Sequence, residues 1–452
     1  METDFFRDKR VTVMGLGLLG RGVGDAAYIA TQGAADVCVT DLKGETELAD
    51  SVAQLRAYTN VRFTLGEHRN EDFVDRDLIL VAAGVPTDSP YLAHAREHGV
   101  RLAQSAALFA ELSGVPIVGV TGTRGKSTVT HLIHHILEAA TGESVILGGN
   151  VRGVSNLQLL ADVREDSLAV MELDSWQLQG FGWAGISPQV AVFTSFMPDH
   201  MNYYHGDMHA YFADKANIYR FQDESGALVT TPAVFEWMQA AGGNLGQELV
   251  LTGASELPTD AIVPMPGEHN RENAALAVAA VRAVGLADEE IYPHLATFPG
   301  VPGRLEFLGV TTRGVRIYND NNATTPAAAA AGVRAVAGER DVVAIVGGSD
   351  KALDLAPLLE ALSAHVRRLI LTPGSGTDRL VAALQERENL PFEWKVVAGV
   401  AAAVEAGLGD AESGETLLFS PGFTSFSLFN NEYERNDAFV AAARAALAET
   451  DG

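Results

Sequence analysis

The sequence predicts an α/β protein of three domains, each a mainly parallel sheet flanked by helices. The chain has 452 residues, which is too long for one ordinary domain. Short apolar runs typical of buried strands alternate with stretches of helical periodicity along its length. Two of these runs lead into glycine-rich loops followed by helices. We place the domains at 1–108, 109–300 and 301–452, because Pro and Gly are dense at 298–303.

Composition limits the classes of function. Hydrophobic residues make up 47% of the chain and charged residues 20%, as in globular proteins. The formal net charge is −26, so we expect no binding to nucleic acid or to a membrane, which rely on Lys and Arg surfaces. Cys38 is the single cysteine, so no intrachain disulfide forms. No apolar run is long enough to span a bilayer, and the first residues lack a signal-peptide core, so we expect a cytoplasmic protein.

The first glycine-rich loop follows a short strand near the N-terminus. Residues 15–20 read Gly-Leu-Gly-Leu-Leu-Gly, and Asp41 ends the next apolar run. This layout is typical of a dinucleotide-binding βαβ unit, in which the glycines approach a pyrophosphate and the acidic residue reaches a sugar hydroxyl. Taken alone, it suggests NAD and a dehydrogenase.

The second glycine-rich loop follows the apolar run 117–120. Residues 121–128 read Thr-Gly-Thr-Arg-Gly-Lys-Ser-Thr, and helical periodicity follows. Such a junction predicts a phosphate site, with Lys126 at the β- and γ-phosphates and the Ser127 or Thr128 hydroxyl on Mg²⁺. Val120 stands where the standard pattern has its first glycine, so a glycine-rich turn before an ordinary helix is the alternative.

Further candidate residues follow other apolar runs. Glu172 lies near the end of one such run, where a carboxylate is costly unless it is paired or bound to metal, and the alternative is a strand end that faces solvent. His200 lies on a strand-end loop, where a structural histidine is the alternative. Lys215 lies in a helix and would by default be a solvated lysine. Asn270 and Asn273 share a helix face and either read a base edge or cap the helix.

In this order the motifs resemble the Mur ligase family of ATP-dependent, amide-forming peptidoglycan enzymes, over nearly the whole chain. The residues that carry the resemblance are 121–128, 172–177, 198–200, Lys215, His269, Asn270, Asn273, 303–306, Asn319, Asp320, Gly347, Gly348 and Lys351. The variant phosphate loop is this family's form. The glycine loop at 15–20, with Ser420 and Ser425, looks most like the branch that adds D-glutamate to UDP-N-acetylmuramoyl-L-alanine.

The resemblance implies a reaction and its ligands. ATP phosphorylates a carboxylate, and the amino group of an incoming amino acid displaces the phosphate. The first domain would then hold UDP instead of NAD. The implied cofactors are ATP and Mg²⁺, as two ions, with Lys215 carbamylated. The implied partners are small molecules only, namely a UDP-sugar amino acid, a free amino acid and ATP, and we expect a monomer.

The resemblance also implies residue roles. The catalytic residues would be Lys126, Glu172, His200 and Lys215. ATP would contact Gly122, Thr123, Gly125, Lys126, Ser127, Thr128, Asn270, Asn273, Arg304 and Asp320. The UDP substrate would contact Leu18, Leu19, Asp41, Lys43, Asn150 and Gln177. The amino acid would contact Thr324, Lys351 and Ser425. The metal ligands would be Ser127, Glu172, His200 and carbamylated Lys215.

Several positions depart from the pattern of the D-glutamate-adding branch. Asp174 replaces a serine, Asn322 replaces a lysine, and Glu432 stands where an aromatic residue would line the amino-acid pocket. One positive group is lost and two acidic groups are added around anionic substrates, which weakens their binding unless other groups compensate. Two alternatives therefore stay open: a paralogous ligase with a different amino acid or acceptor, and a catalytically silent nucleotide-binding regulator.

Overall fold

A computed structural model describes residues 4–17, 20–142, 144–242, 246–338, 341–387, 389–426, 428–429 and 431–448. Within these residues the strands form three sheets, and helices separate most of the strands along the chain. The predicted α/β fold with three mainly parallel sheets is therefore observed. No helix in the described part of the chain is both long and apolar enough to cross a membrane.

The first sheet has five parallel strands in the order β3-β2-β1-β4-β5. The strands are β1 (Arg10–Met14), β2 (Asp36–Asp41), β3 (Val61–Leu65), β4 (Leu78–Val81) and β5 (Arg101–Ala103). The helices are α1 (Arg21–Thr31), α2 (Ala49–Leu55), α3 (Pro90–Glu97) and α4 (Ser105–Ser113). The strand order reverses beside β1, so the loop that follows β1 opens at the point where such sheets bind ligands.

The second sheet has six parallel strands in the order β11-β10-β9-β6-β8-β7. The strands are β6 (Ile117–Thr121), β7 (Val145–Gly149), β8 (Leu168–Glu172), β9 (Val190–Phe193), β10 (Ala227–Thr230) and β11 (Glu248–Leu251). The helices are α5 (Lys126–Thr141), α6 (Ser175–Ala184), α7 (Met208–Ala216), α8 (Pro232–Ala240), α9 (Glu268–Val284) and α10 (Asp288–Leu295). Strand β6 pairs with β8 and β9, which places the ends of these three strands at one edge.

The third sheet has six strands in the order β12-β13-β17-β14-β15-β16, and only the edge strand β12 is antiparallel among the described pairs. The strands are β12 (Glu306–Val310), β13 (Arg316–Asn319), β14 (Val342–Val346), β15 (Val366–Leu371), β16 (Glu393–Val396) and β17 (Thr416–Phe419). The helices are α11 (Pro326–Val336), α12 (Ala356–His365), α13 (Ser375–Gln385), α14 (Val400–Asp410) and α15 (Glu432–Ala448).

The chain divides into two compact units. The first unit comprises residues 1–262 and 272–296, and the second comprises 263–271 and 297–452. The first unit contains the first two sheets, which share one hydrophobic core with Leu108 and Phe109 of α4 in it. The second unit contains the third sheet, whose core lies on both of its faces. The predicted boundary at 108 falls inside α4, and the domain limits stay a prediction.

Candidate active site

The loop between β6 and α5 requires glycine at two positions. Gly122 and Gly125 have φ of 145° and 85°, which L side chains rarely adopt. A Cβ on Gly122 would lie 2.0 Å from Thr194 Oγ1, so the loop packs directly on the segment after β9. The Thr123 N–H donates to Ser195 O at 2.8 Å, which fixes the loop to that segment.

Two lysine side chains converge on this loop. Lys126 Nζ donates to Gly122 O at 3.0 Å, and Lys215 Nζ donates to the same oxygen at 2.8 Å. Lys215 is only 1% exposed, so the alternative of a solvated surface lysine is wrong. Burial, together with the neighbouring charge of Lys126, lowers the pKa of Lys215 well below its usual value. The Gly122 carbonyl therefore holds two lysine amines together, and burial favours the neutral form of Lys215.

Acidic side chains lie close to the two lysines. Glu172 ends β8 directly beside Val120 of β6 and is 5% exposed, so the alternative of a solvent-facing strand end is wrong. Asn150 Nδ2 donates to Glu172 Oε1 at 3.4 Å. The charges of Asp174, Asp199 and Glu172 oppose the effect of burial on the Lys215 pKa. Acid and base are therefore grouped at the carboxyl edge of the second sheet.

His200 lies at the same edge in a constrained conformation. Its φ is 54°, and its ring centroid lies 4.5 Å from that of Trp176. Burial lowers the pKa of the imidazole, and the neighbouring carboxylate of Asp199 opposes this only partly. The neutral imidazole, which is the form that ligates metals, is therefore favoured near neutral pH.

The remaining predicted ATP residues of the first unit lie on or against the loop. Ser127 and Thr128 belong to the first turn of α5. Asn273 packs against the loop, since a Cβ on Gly125 would lie 2.5 Å from Asn273 Oδ1. Asn270 falls in the second unit, where its Nδ2 donates to Pro266 O at 2.8 Å.

A cleft of about 490 Å³ lies at the carboxyl edge of the first sheet. Asp41, Lys43 and Gln177, three predicted UDP-substrate residues, are among its lining residues. The Asp41 carboxylate accepts the backbone N–H groups of Leu16 at 2.8 Å and Gly17 at 3.2 Å, so its visible role is to hold the first glycine loop. The predicted contacts of Leu18 and Leu19 lie outside the described residues.

Asn150 connects this cleft to Glu172. It accepts from Arg21 Nη1 at 2.7 Å through Oδ1 and donates to Glu172 through Nδ2. Asp25, one turn further along α1, accepts from Ser155 Oγ at 2.6 Å and ties α1 to the segment after β7. Sequence reasoning missed Arg21 and Asp25. The signal for Arg21 was its position directly after the last glycine of the motif.

In the second unit, Asp320 follows β13. Its carboxylate accepts from Ser420 Oγ at 2.8 Å and from the Leu305 N–H at 3.2 Å. Burial raises the pKa of Asp320 to about 7, although these hydrogen bonds and the charge of Arg304 oppose the shift. Arg304 and Asp320, two of the predicted ATP residues in this unit, therefore interact electrostatically.

The predicted amino-acid residues lie on three strand-end loops of the third sheet. Lys351 Nζ lies 3.5 Å from Thr324 Oγ1, and the backbone of Ser349 pairs with that of Thr424, next to the buried Ser425. The structure therefore brings these loops together.

Arg435, which sequence reasoning missed, ties two of the loops. Its Nε donates to Asn321 Oδ1 at 2.8 Å, and its Nη1 donates to Phe423 O at 2.9 Å. Burial lowers the pKa of Arg435 to about 10. Its position in a polar helix gave no sequence signal, because its partner Asn321 lies 114 residues earlier in the chain.

Two of the departing positions have structural roles. Asp174 is the N-cap of α6 and accepts the Gln177 N–H at 2.8 Å, while Gln177 Oε1 accepts the Asp174 N–H, so the pair forms a capping box. Asn322 Nδ2 lies 3.4 Å from Pro302 O. Asp174 therefore replaces a serine without loss of the helix cap.

Known families and relatives match this chain over most of its length. A Mur ligase MurD-like N-terminal domain model matches residues 9–104, a Mur ligase middle domain model matches 120–256, and a Mur ligase glutamate ligase domain model matches 303–423. A UDP-N-acetylmuramoylalanine–D-glutamate ligase of Roseiflexus sp. (strain RS-1) is 36% identical over 466 residues, which cover 95% of this chain and 97% of the relative. The chain belongs to the Mur ligase family. A relative of the same name from Synechococcus sp. (strain CC9605) is 32% identical and covers 95% of this Mur ligase.

Solved structures agree with this assignment at the level of the fold. This Mur ligase resembles a UDP-N-acetylmuramate–alanine ligase from Thermotoga maritima with a TM-score of 0.60 at 19% identity, over 97% of this chain and 100% of that one. The predictions of the family, of the three-domain α/β fold and of a ligase are confirmed. The dehydrogenase suggested by the first glycine loop alone is wrong. The residue roles stay predictions.

Proposed function

We propose that this Mur ligase joins D-glutamate to UDP-N-acetylmuramoyl-L-alanine at the expense of ATP, in the synthesis of peptidoglycan precursors. Two relatives that carry this name support the proposal, at 36% and 30% identity over most of the chain. The structural observation that carries it is the convergence of Lys126 and Lys215 on Gly122 O, beside the buried Glu172.

The chemistry follows from the charges at the loop. The acceptor carboxylate attacks the γ-phosphorus of ATP, which gives an acyl phosphate and ADP, and the amine of the amino acid then displaces inorganic phosphate to form the amide. Phosphoryl transfer needs positioning and neutralisation of charge more than covalent help. Lys126 would neutralise the β- and γ-phosphates, and the Gly122–Gly125 turn would hold them. The assignment of Asn270, Arg304 and Asp320 to ATP is supported by the resemblance alone.

Two Mg²⁺ ions are part of the proposal, and the side chains fit them. Glu172 offers a buried carboxylate, Ser127 a hydroxyl, and His200 an imidazole that burial keeps neutral. The described residues contain no group of three or more His, Cys, Asp or Glu arranged to hold a metal. Nucleotide oxygens would therefore complete the ligand set. When bound, Mg²⁺ would neutralise charge on the transferred phosphoryl group.

Carbamylation of Lys215 is the second chemical element of the proposal. Burial and the charge of Lys126 favour its neutral amine, which is the form that reacts with carbon dioxide. The Nζ lone pair bonds to the carbon, Nζ loses a proton, and a carbamate anion results. The modification would replace a buried amine by an anionic oxygen ligand, whose charge is opposite to that of the neighbouring Lys126.

The two remaining substrates would occupy separate sites. The cleft of the first sheet would bind the UDP end of the acceptor, with Asn150 and Gln177 towards its muramoyl end. In the second unit, Lys351 would pair with a carboxylate of the amino acid, and Thr324 and Ser425 would donate hydrogen bonds to it. The monomeric state, the cytoplasmic location and the lack of nucleic-acid binding stay predictions.

The test is an assay of phosphate release over a panel of acceptors and amino acids. We expect release only when ATP, UDP-N-acetylmuramoyl-L-alanine and D-glutamate are all present. With the acceptor carboxylate labelled with oxygen-18, one labelled oxygen should appear in the released phosphate. Unlabelled phosphate would contradict the acyl-phosphate route.

A paralogous ligase with a different amino acid is the second candidate function. Two substitutions near the amino-acid loops favour it. Asn322 carries no charge where a lysine is expected, and Glu432, which replaces an aromatic residue, lies close enough to Arg435 to influence its pKa. In that case the same panel would give phosphate release with another amino acid. A catalytically silent regulator would bind nucleotide and release no phosphate with any pair.

A further inference from the structure

The cleft of the first sheet contains two buried donors without acceptors. Arg21 Nε and Gln104 Nε2 both line this cleft, and neither has a hydrogen-bond partner in the described part of the chain. Gln104 is 2% exposed, and only its Oε1 is used, by the Gly180 N–H at 3.1 Å. Buried polar atoms in native proteins are almost always satisfied, so this pair indicates a ligand that fills the cleft.

The glycine loop beside the cleft has already used part of its donor capacity. The N–H groups of Leu16 and Gly17 both donate to Asp41 Oδ2. In a dinucleotide-binding loop, backbone N–H groups and the following helix hold the pyrophosphate. Here those two N–H groups face a carboxylate of the protein instead. An anionic ligand at this loop therefore needs an additional donor.

Arg21 is placed to be that donor. It is the first residue of α1, whose first turn contains no acidic residue, so its cation lies at the positive end of the helix dipole. Its Nη1 donates to a neutral amide oxygen of Asn150 at 2.7 Å, and its charge acts on the buried carboxylate of Asp25, one turn further along α1. Because burial raises the pKa of Asp25, this carboxylate compensates the cation only in part, and an anion that binds beside α1 adds a favourable charge.

We propose that Arg21 binds the diphosphate of the nucleotide-sugar acceptor, as a residue that adds to those carried over from the family. The inference rests on the proposed function. A guanidinium fits phosphate oxygens with two parallel hydrogen bonds, and a diphosphate beside α1 gives Arg21 a further counter-charge and an acceptor for Nε.

The position of Arg21 favours the diphosphate over the acceptor's carboxylate. Arg21 directly follows the glycine loop at the reversal of strand order, which is where nucleotide phosphates lie on sheets of this kind. Asn150 stands between Arg21 and Glu172, so the reacting carboxylate would approach from the far side of that amide. By holding Asn150, Arg21 also links the bound acceptor to Glu172.

The experiment measures binding of uridine and of UDP to the full chain by calorimetry. Wild-type protein should bind UDP at least about tenfold more tightly than uridine, because of the charge-assisted contacts. In Arg21→Gln this ratio should fall about tenfold while the affinity for uridine stays within about twofold. Arg21→Lys keeps the charge without the paired geometry and should give an intermediate ratio. If the Gln variant does not fold, Arg21→Met should show the same loss.

The control is Arg56→Gln, which removes an exposed arginine that pairs with Glu45 outside the cleft, and it should leave the ratio unchanged. An unchanged UDP-to-uridine ratio in Arg21→Gln would overturn the inference while the proposed function stands. A loss seen only with the complete acceptor, and not with UDP, would also overturn it, because Arg21 would then contact the muramoyl part. If wild-type protein binds neither uridine nor UDP, the proposed function fails at this cleft, whatever Arg21 does.

Discussion

Two glycine-rich loops of the first unit follow central strands and lead into helices, but they differ in the charge that they face. In the first loop, the N–H groups of Leu16 and Gly17 point at the carboxylate of Asp41. In the second, a carbonyl oxygen accepts from Lys126 and Lys215. The donors of the first loop are therefore occupied by the protein itself, whereas the second loop holds two lysine amines, and burial together with the charge of Lys126 lowers the pKa of Lys215.

The difference teaches that a glycine pattern specifies backbone shape, while residues distant in sequence decide what the loop binds. Asp41 lies 25 residues beyond Leu16, and Lys215 lies 93 residues beyond Gly122. Both loops have glycines at positive φ, so the glycines alone do not distinguish them. A triphosphate is expected at the second loop. At the first, binding of an anion depends on a side chain, for which Arg21 is our candidate.

The largest expected effect is at the second loop. Lys126→Ala should lower the rate of phosphate release by about 10³-fold, because it removes the charge nearest the transferred phosphoryl group. The measurement is steady-state phosphate release with the complete substrate set. Lys395→Ala, at an exposed lysine that pairs with Asp410, is the control and should be active. Full activity of the Lys126 variant would mean that the loop does not bind the phosphates.

The next effect concerns the buried lysine of the same loop. Lys215→Ala should lower the rate by about 10²-fold, because the carbamate that we propose as a metal ligand cannot form. Millimolar acetate or propionate should restore part of the rate, since a small carboxylate can occupy the space and supply an oxygen. Mass spectrometry of the intact wild-type protein under carbon dioxide should show the carbamate. Loss of activity without any rescue would indicate that Lys215 acts as an amine.

The elements of this fold could be predicted from sequence more fully than the contacts between them. Glu172 was found because a carboxylate interrupts an apolar run, and the pairing of β8 with β6 then placed it beside the loop. By contrast, the burial of Lys215 depends on how α7 packs against the second sheet, which periodicity does not report. Arg435 was missed for the same reason, since its acceptors lie on loops after β13 and β17.

The role of Asp41 shows a second limit. Its place at the end of an apolar run predicts an acidic residue at the ligand-binding edge, and the structure does put it there. The sequence pattern assigns its carboxylate to a sugar hydroxyl, whereas the structure gives it the N–H groups of Leu16, Gly17 and Lys43. The spacing in the sequence identifies Asp41, but the conformation of the loop determines which N–H groups donate to its carboxylate.

A smaller effect is expected when this carboxylate is neutralised. Asp41→Asn should lower the free energy of unfolding by about 1–2 kcal/mol, because charge-assisted hydrogen bonds to the loop are weakened. UDP binding should weaken, whereas ATP binding at the second loop should be unchanged, and chemical denaturation with calorimetry measures both. Asp166→Asn, at an exposed carboxylate, is the control. If ATP binding weakened as much as UDP binding, the two loops would not be independent.

The smallest effect is expected at Asp25, the other carboxylate at the base of the first cleft. Burial raises the pKa of Asp25, and hydrogen bonds from Ser155 and Leu157 oppose the shift only partly. Above the ordinary pKa of aspartate, the folded protein therefore binds more protons than the unfolded chain. Asp25 thus lowers the free energy of unfolding as pH rises, until the pH passes the pKa of Asp25 in the folded protein.

The amide in an Asp25→Asn variant cannot titrate but still accepts from Ser155. This variant should thus match wild type in unfolding temperature near pH 4 and exceed it slightly near pH 7. A variant less stable than wild type at pH 7 would show that the charged form of Asp25 is the one that holds α1 to the segment after β7.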